Sequence, residues 1–151
     1  MIFLTIVPPE NMRSIFALLF LLIQSLGFGQ HFYDGAGRQV ARFDDNRVYN
    51  GSGKLIGRID AGKIYDGSGK QIGRVDDNYF YDGAGKQIGR VDGKYLYSGS
   101  GKLIGRLDGD NLFDNSGKLI GRADGLRRMQ VIIFFYYFPA NKAVGKLHAS
   151  E

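Results

Sequence analysis

Apolar residues are laid out along this chain in three ways, and each predicts a different element. One unbroken apolar run covers Ile15 to Ile23 and another covers Val131 to Phe138. Between them, apolar pairs and triplets alternate with Gly, Asp and Lys or Arg at a fixed interval of sixteen residues, marked by Tyr33, Tyr49, Tyr65, Tyr81, Tyr97 and Phe113. One unit reads from Tyr65 through Asp66-Gly67-Ser68-Gly69-Lys70 and Gln71-Ile72-Gly73-Arg74-Val75-Asp76 to Phe80. A unit this short cannot bury its own apolar side chains, so neighbouring units must share one core.

Within a unit the pattern predicts two short strands and two turns. Asp66-Gly67-Ser68-Gly69 has the chemistry of a three-residue hairpin loop: an aspartate that bonds the backbone ahead of it and a glycine for the left-handed position. The strand Gln71 to Val75 follows. It ends in a two-residue turn, Asp77-Asn78 here and Ala61-Gly62, Gly93-Lys94 or Gly109-Asp110 in other units. Some ten to twelve strands of four or five residues are expected. Ile72 and Val75 are three apart, so strict alternation would put them on opposite faces of the strand. A bulge at the recurring glycine (Gly57, Gly73, Gly89, Gly105, Gly121, with Ala41 first) restores both to one face and turns Arg74 away from the core.

The two apolar runs read differently from the repeats. Met12-Arg13, the run to Ile23 and the closing Gly27-Phe28-Gly29 fit a secretory signal peptide over 12–29, cleaved before Gln30. The competing reading is a membrane anchor, which the short run disfavours, since a spanning helix takes ~20 apolar residues. Residues 1–11 are set aside as an upstream extension, because Pro8-Pro9-Glu10 interrupts any longer apolar segment. Residues 30–128 form the repeat domain. Residues 129–138 are expected to be a buried strand or a plug packed against the repeats, since an aromatic-rich run left exposed invites aggregation. Membrane contact through Val131 to Phe138 is the less favoured alternative. Residues 139–151 lose all pattern and are expected to be a disordered tail.

The repeated unit, the signal peptide before it and the closing stretch from Ala123 to Tyr136 resemble the exported bacterial proteins called five-fold β-flower proteins. The resemblance covers about residues 12–138. It implies an all-β fold of hairpin petals arranged around a pseudo-symmetry axis, and it implies no activity. Six copies of the Asp-Gly-x-Gly type of turn stand in the chain, so both five and six petals remain open. Closure into a ring has a physical motive as well, because an open array of short hairpins leaves two unpaired edges. The middle of such a ring must then be filled.

Charge and composition narrow the function classes. The formal net charge is +5, yet residues 33–124 carry fifteen Lys and Arg against thirteen Asp with the signs interspersed. That is a solvated, ion-paired surface rather than a phosphate-binding stripe, so no nucleic-acid partner is expected. There is no cysteine, and no histidine or glutamate lies between residues 32 and 147. Catalysis would rest on Asp, Lys, Tyr and Ser alone, and a repeat offers the same groups many times instead of different groups around one reacting atom. The expectation is a non-enzyme with no cofactor.

Calcium fits the turns poorly. No acidic residue stands two before Asp66, no glutamate closes the loop, and Lys70 would sit beside the ion. The sixteen-residue period also departs from the nonapeptide calcium repeat. The remaining candidate chemistry is the recurrence of Tyr49, Tyr65, Tyr81 and Tyr97 with Arg58, Arg74, Arg90 and Arg106. It reads either as packing between petals, with each arginine paired to an aspartate, or as repeated weak grips on an extracellular or envelope glycan, with Tyr65 and Tyr79 as stacking platforms for a sugar. Two expectations follow: an exported structural or interaction module in the periplasm, at the cell surface or in the medium, and, as its alternative, a multivalent carbohydrate binder.

Overall fold

A computed structural model describes residues 29–138; the leader up to Phe28, the upstream extension and the tail 139–151 lie outside the described residues. The chain forms β1 (Gln30–Asp34), β2 (Gln39–Asp44), β3 (Arg47–Asn50), β4 (Leu55–Asp60), β5 (Lys63–Asp66), β6 (Gln71–Asp76), β7 (Tyr79–Asp82), β8 (Gln87–Asp92), β9 (Tyr95–Ser98), β10 (Leu103–Asp108), β11 (Asn111–Asp114), β12 (Leu119–Asp124) and the helix α1 (Arg128–Tyr137). Each strand pairs antiparallel with the next, and β1 pairs with β12, so the sheet closes into a twelve-stranded barrel of six hairpins. Closure leaves no edge strand in the sheet.

The turns follow their residues. In the β5–β6 loop the Asp66 Oδ1 accepts from the backbone N–H of Ser68 at 2.9 Å and of Lys70 at 3.0 Å, and from the Ser68 hydroxyl at 2.6 Å. Gly69 supplies the left-handed step at φ +87°. Asn50 and Ser98 serve the same turn where aspartate is absent. Three of the carboxyls that make these loops, Asp34, Asp66 and Asp114, are held below the usual carboxylate range. At Asp34 the cause is the Arg38 backbone N–H, and at Asp66 the Ser68 hydroxyl. At Asp114 partial burial opposes the shift, and the Ser116 hydroxyl with the Lys118 and Ser116 amides outweighs it. Successive hairpins also touch closely at this end: a Cβ on Gly67 would lie 2.6 Å from the carbonyl oxygen of Leu55 in the preceding hairpin.

The two-residue turns at the opposite end put their first residue at positive φ, including Asp45 at +52°, Ala61 at +48° and Asp77 at +55°. Aspartate tolerates that region better than alanine, whose Cβ crowds the following carbonyl. Ala61→Gly is therefore expected to raise stability by roughly 0.5–1 kcal/mol, read as a higher urea midpoint with an unchanged slope. A drop in the midpoint would mean that the turn has another conformation.

The bulge is present in every repeat, but its position differs from the expected one. Ile64 pairs with Gly73 and Tyr65 with Gln71, so the extra residue is Ile72, just before the glycine. Ile72 and Val75 both pack against the core, and Arg74 faces outward. The glycine itself has a separate task, which the interior makes clear.

The expected filler is a helix, which corrects the strand offered for residues 129–138. Six consecutive residues of α1, Val131 to Tyr136, are buried. At 100° per residue they cover the full circumference, so the helix is surrounded by the barrel. The chemistry of a closed sheet explains why. Val, Ile, Phe and Tyr favour strands, but with β1 and β12 already paired no edge remains for another strand to join. A segment entering the apolar bore must satisfy its own backbone N–H and C=O groups, and only a helix does so. Its ten residues span about 15 Å, close to the depth of six-residue strands tilted in a barrel.

The recurring glycines make room for the plug. A Cβ on Gly57 would overlap the ring of Phe138, one on Gly73 the ring of Tyr137, and one on Gly89 the ring of Tyr136. At Gly105 the Phe135 ring stands 3.8 Å away, and the slot of Gly121 holds Phe32 from β1. Thus consecutive aromatic residues 138, 137, 136 and 135 address consecutive hairpins. Ala41 occupies the sixth position, where Phe134 packs instead against Phe32 and Phe43. Two plug tyrosines also anchor by hydrogen bonds. The Tyr136 hydroxyl donates to the carbonyls of Tyr97 at 2.7 Å and Arg90 at 3.1 Å, and that of Tyr137 to those of Tyr81 at 2.7 Å and Arg74 at 2.9 Å. Burial pushes both phenols well above their ordinary pKa, keeping them neutral donors.

Candidate functional site

The tyrosines and arginines singled out from the repeat all lie on the outer wall, and the fold brings them together in pairs. Arg74 in β6 is in register with Tyr81 in β7, so each arginine reaches across to the aromatic residue of the next hairpin. The guanidinium carbon of Arg42 stands 4.5 Å from the Tyr49 ring centroid, Arg58 4.3 Å from Tyr65, Arg74 4.0 Å from Tyr81, and Arg90 4.2 Å from Tyr97. Arg106 covers Phe113 at 4.7 Å, and Arg122 covers Tyr33 at 5.4 Å across the closure. The result is a belt of six cation–π stacks stitching hairpin to hairpin.

Aspartate is the weaker partner of these arginines. Arg74 and Arg90 lie 3.7 Å from Asp76 and Asp92, both pairs exposed, and Arg58 lies 2.9 Å from Asp60. Exposed pairs of this kind contribute little. Since one face of each of Tyr49, Tyr65, Tyr81 and Tyr97 is covered by an arginine, the ring surface left for a ligand is reduced to the other face.

Two recesses bear on function. The larger, of about 620 Å³, lies at the mouth where α1 begins, with Ile59, Val75, Met129 and Ile133 on its floor and Asp45, Asp77 and Arg127 on its rim. Here Gln130 ties the helix down: its Oε1 accepts from the Arg127 N–H at 2.8 Å and its Nε2 donates to Gln30 at 3.2 Å, while the Arg128 guanidinium donates to the Gly93 carbonyl. The smaller, of about 290 Å³, lies on the outer wall between the fifth and sixth hairpins, bounded by Tyr95, Leu103, Arg106, Asp114, Asn115 and Ser116. Tyr95 and its counterpart one repeat earlier, Tyr79, are 41% and 44% exposed, unlike the half-buried tyrosines of the belt.

Of these two, only Tyr79 was named from the sequence, as a stacking platform beside Tyr65; Tyr95 falls outside the sixteen-residue tyrosine register. The available signal was their position: residues 79 and 95 occupy equivalent places in adjacent units, where the other units carry His31, Arg47, Lys63 and Asn111.

Among the described residues no helix is long and apolar enough to cross a membrane. No curated protein and no solved structure matches this chain. A family model described as 5-fold beta-flower protein matches residues 29–139, which takes in the whole barrel and its plug, and the chain belongs to that family.

Proposed function

We propose that the protein is an exported, non-enzymatic module whose ring serves stability and whose outer wall serves interaction, in the periplasm, at the cell surface or in the medium. The observation that carries this reading is that the repeated polar groups are spent on the ring itself. Turn aspartates bond their own loops, and belt arginines stack on the neighbouring hairpin. A bore filled by its own helix leaves no central chamber for a substrate, and sixfold repetition does not gather unlike groups around one atom. Export rests on the leader read at residues 12–29.

Two outcomes are expected. When the chain is expressed behind its own leader, N-terminal sequencing of the exported protein should begin at Gln30. Arg74→Gln with Arg90→Gln should lower the Tm by about 4–8 °C, for a loss of ~1 kcal/mol from two exposed stacks. A protein retained in the cytosol with residues 1–29 attached would overturn the export reading, and an unchanged Tm would remove the belt from the stability account.

A second reading, carbohydrate recognition by the outer wall, is favoured by the exposed rings of Tyr79 and Tyr95 beside a polar recess. A sugar ring stacks its apolar C–H face on such a platform while carboxylate, amide and guanidinium groups bond its hydroxyls.

A further inference from the structure

We infer that the recess between the fifth and sixth hairpins is a glycan-binding subsite, with Tyr95 as its platform and Arg106, Asp114 and Asn115 as its polar contacts. The inference rests on the second reading above and moves it from the repeated belt to the joint where the loop glycine and the arginine–aspartate pair are both missing.

First, the residue that begins the loop after each turn aspartate or its substitute is glycine at 35, 51, 67, 83 and 99, where it allows close contact with the preceding hairpin; here it is Asn115, which brings an amide to the recess. Second, the arginine is released. Arg42, Arg58, Arg74 and Arg90 each have the aspartate two residues on within 4 Å, but Asp108 is instead 3.8 Å from Lys94. Arg106 keeps its stack on Phe113 and has no carboxylate partner among the described residues. Third, the Asp114 Oδ1 is occupied by its own loop, whereas Oδ2, like that of Asp66 and Asp82, has no partner among the described residues. Fourth, Tyr95 presents an exposed ring in register with Arg106 across the β9–β10 pair, as Tyr79 does with Arg90, and the Lys94 ammonium stands 6.0 Å from its centroid, leaving the other face.

A guanidinium with free N–H donors, a free carboxylate oxygen and an amide offer donors and acceptors together, which is the set that vicinal hydroxyls require. Beside a planar aromatic face they suit a pyranose ring, whose C–H face can stack while its hydroxyls bond. The corresponding recesses beside Gly51 and Gly35, of about 470 and 340 Å³, carry no exposed aromatic ring. Tyr79 stands two strand spacings away, on the order of 10 Å, so it extends the platform to a further residue of the same chain.

The test is affinity electrophoresis of the full exported protein in gels containing hydroxyethylcellulose, glycol chitin, xylan or polygalacturonate. Retardation by at least one polymer is expected. Tyr95→Ala should weaken it about tenfold and Asn115→Gly several-fold, as expected for losing one stacking face or one hydrogen bond. Asn115→Gly restores the residue found in the other repeats, so it keeps the test independent of any folding defect. Retardation that survives both substitutions but is lost in Arg58→Gln would overturn this location while leaving carbohydrate recognition standing. No retardation by any of the four polymers would overturn the carbohydrate reading and this subsite together.

Discussion

A chain terminated after Gly125 is expected to lose cooperative folding altogether. The truncation removes Val131, Ile132, Ile133, Phe134, Phe135, Tyr136 and Phe138, each no more than 6% exposed. At about 1.5–3 kcal/mol for each fully buried large apolar side chain, their removal costs well over 10 kcal/mol. That equals or exceeds the ~5–15 kcal/mol net stability of an ordinary domain. The emptied bore would also expose Ile64, Phe80, Leu96 and Leu112 from the inner wall. The measurement is urea unfolding followed by circular dichroism, and the expected result is a shallow, non-cooperative curve with strong binding of a hydrophobic dye. A sharp transition near the parent midpoint would show that six hairpins sustain themselves around a hollow. Phe135→Ala gives a graded version, with about 3–5 kcal/mol lost to the cavity it leaves.

The reason the barrel was legible and the helix was not lies in what each depends on. Strands and turns are local: Asp66 and Gly69 specify their loop wherever it occurs, and six copies multiply the signal. The conformation of Val131 to Phe138 is set by the barrel around it. The same side chains would form a strand if an edge were available, and pairing of β1 with β12 withdraws it. The role of Gly73 was hidden for the same reason, since its partner, the ring of Tyr137, lies 64 residues away in sequence. The pairing of arginine with aspartate expected from the sequence is present, with Arg74 3.7 Å from Asp76 along the same strand. The stack on Tyr81, directly opposite across two strands, is added to it and was hidden because it depends on the register between hairpins. Six hairpins close this ring, although the family description names a fivefold arrangement. The terminal units account for the count: β1 and β12 complete the circle as neighbours, so no unit stands outside it.

The second large effect concerns the fit between ring and plug. Gly89→Ala is expected to destabilise by about 2–4 kcal/mol, far more than an alanine usually costs in a strand. A Cβ at this position overlaps the Tyr136 ring, which supplies its three nearest atoms. To escape, the ring must leave its stacking contact with Phe80, at 4.4 Å between centroids, and draw its hydroxyl away from the Tyr97 and Arg90 carbonyls. Overpacking accounts for ~1–3 kcal/mol and a lost buried hydrogen bond for ~1 kcal/mol more. Ala41 shows that the strand itself accepts alanine at the equivalent position. The penalty should therefore vanish when the ring is removed. In a Tyr136→Leu background, adding Gly89→Ala should cost under ~0.5 kcal/mol, giving a coupling energy of at least ~1.5 kcal/mol in the double-mutant cycle. Additive losses would place the cost in the strand backbone and would separate the glycine repeat from the plug.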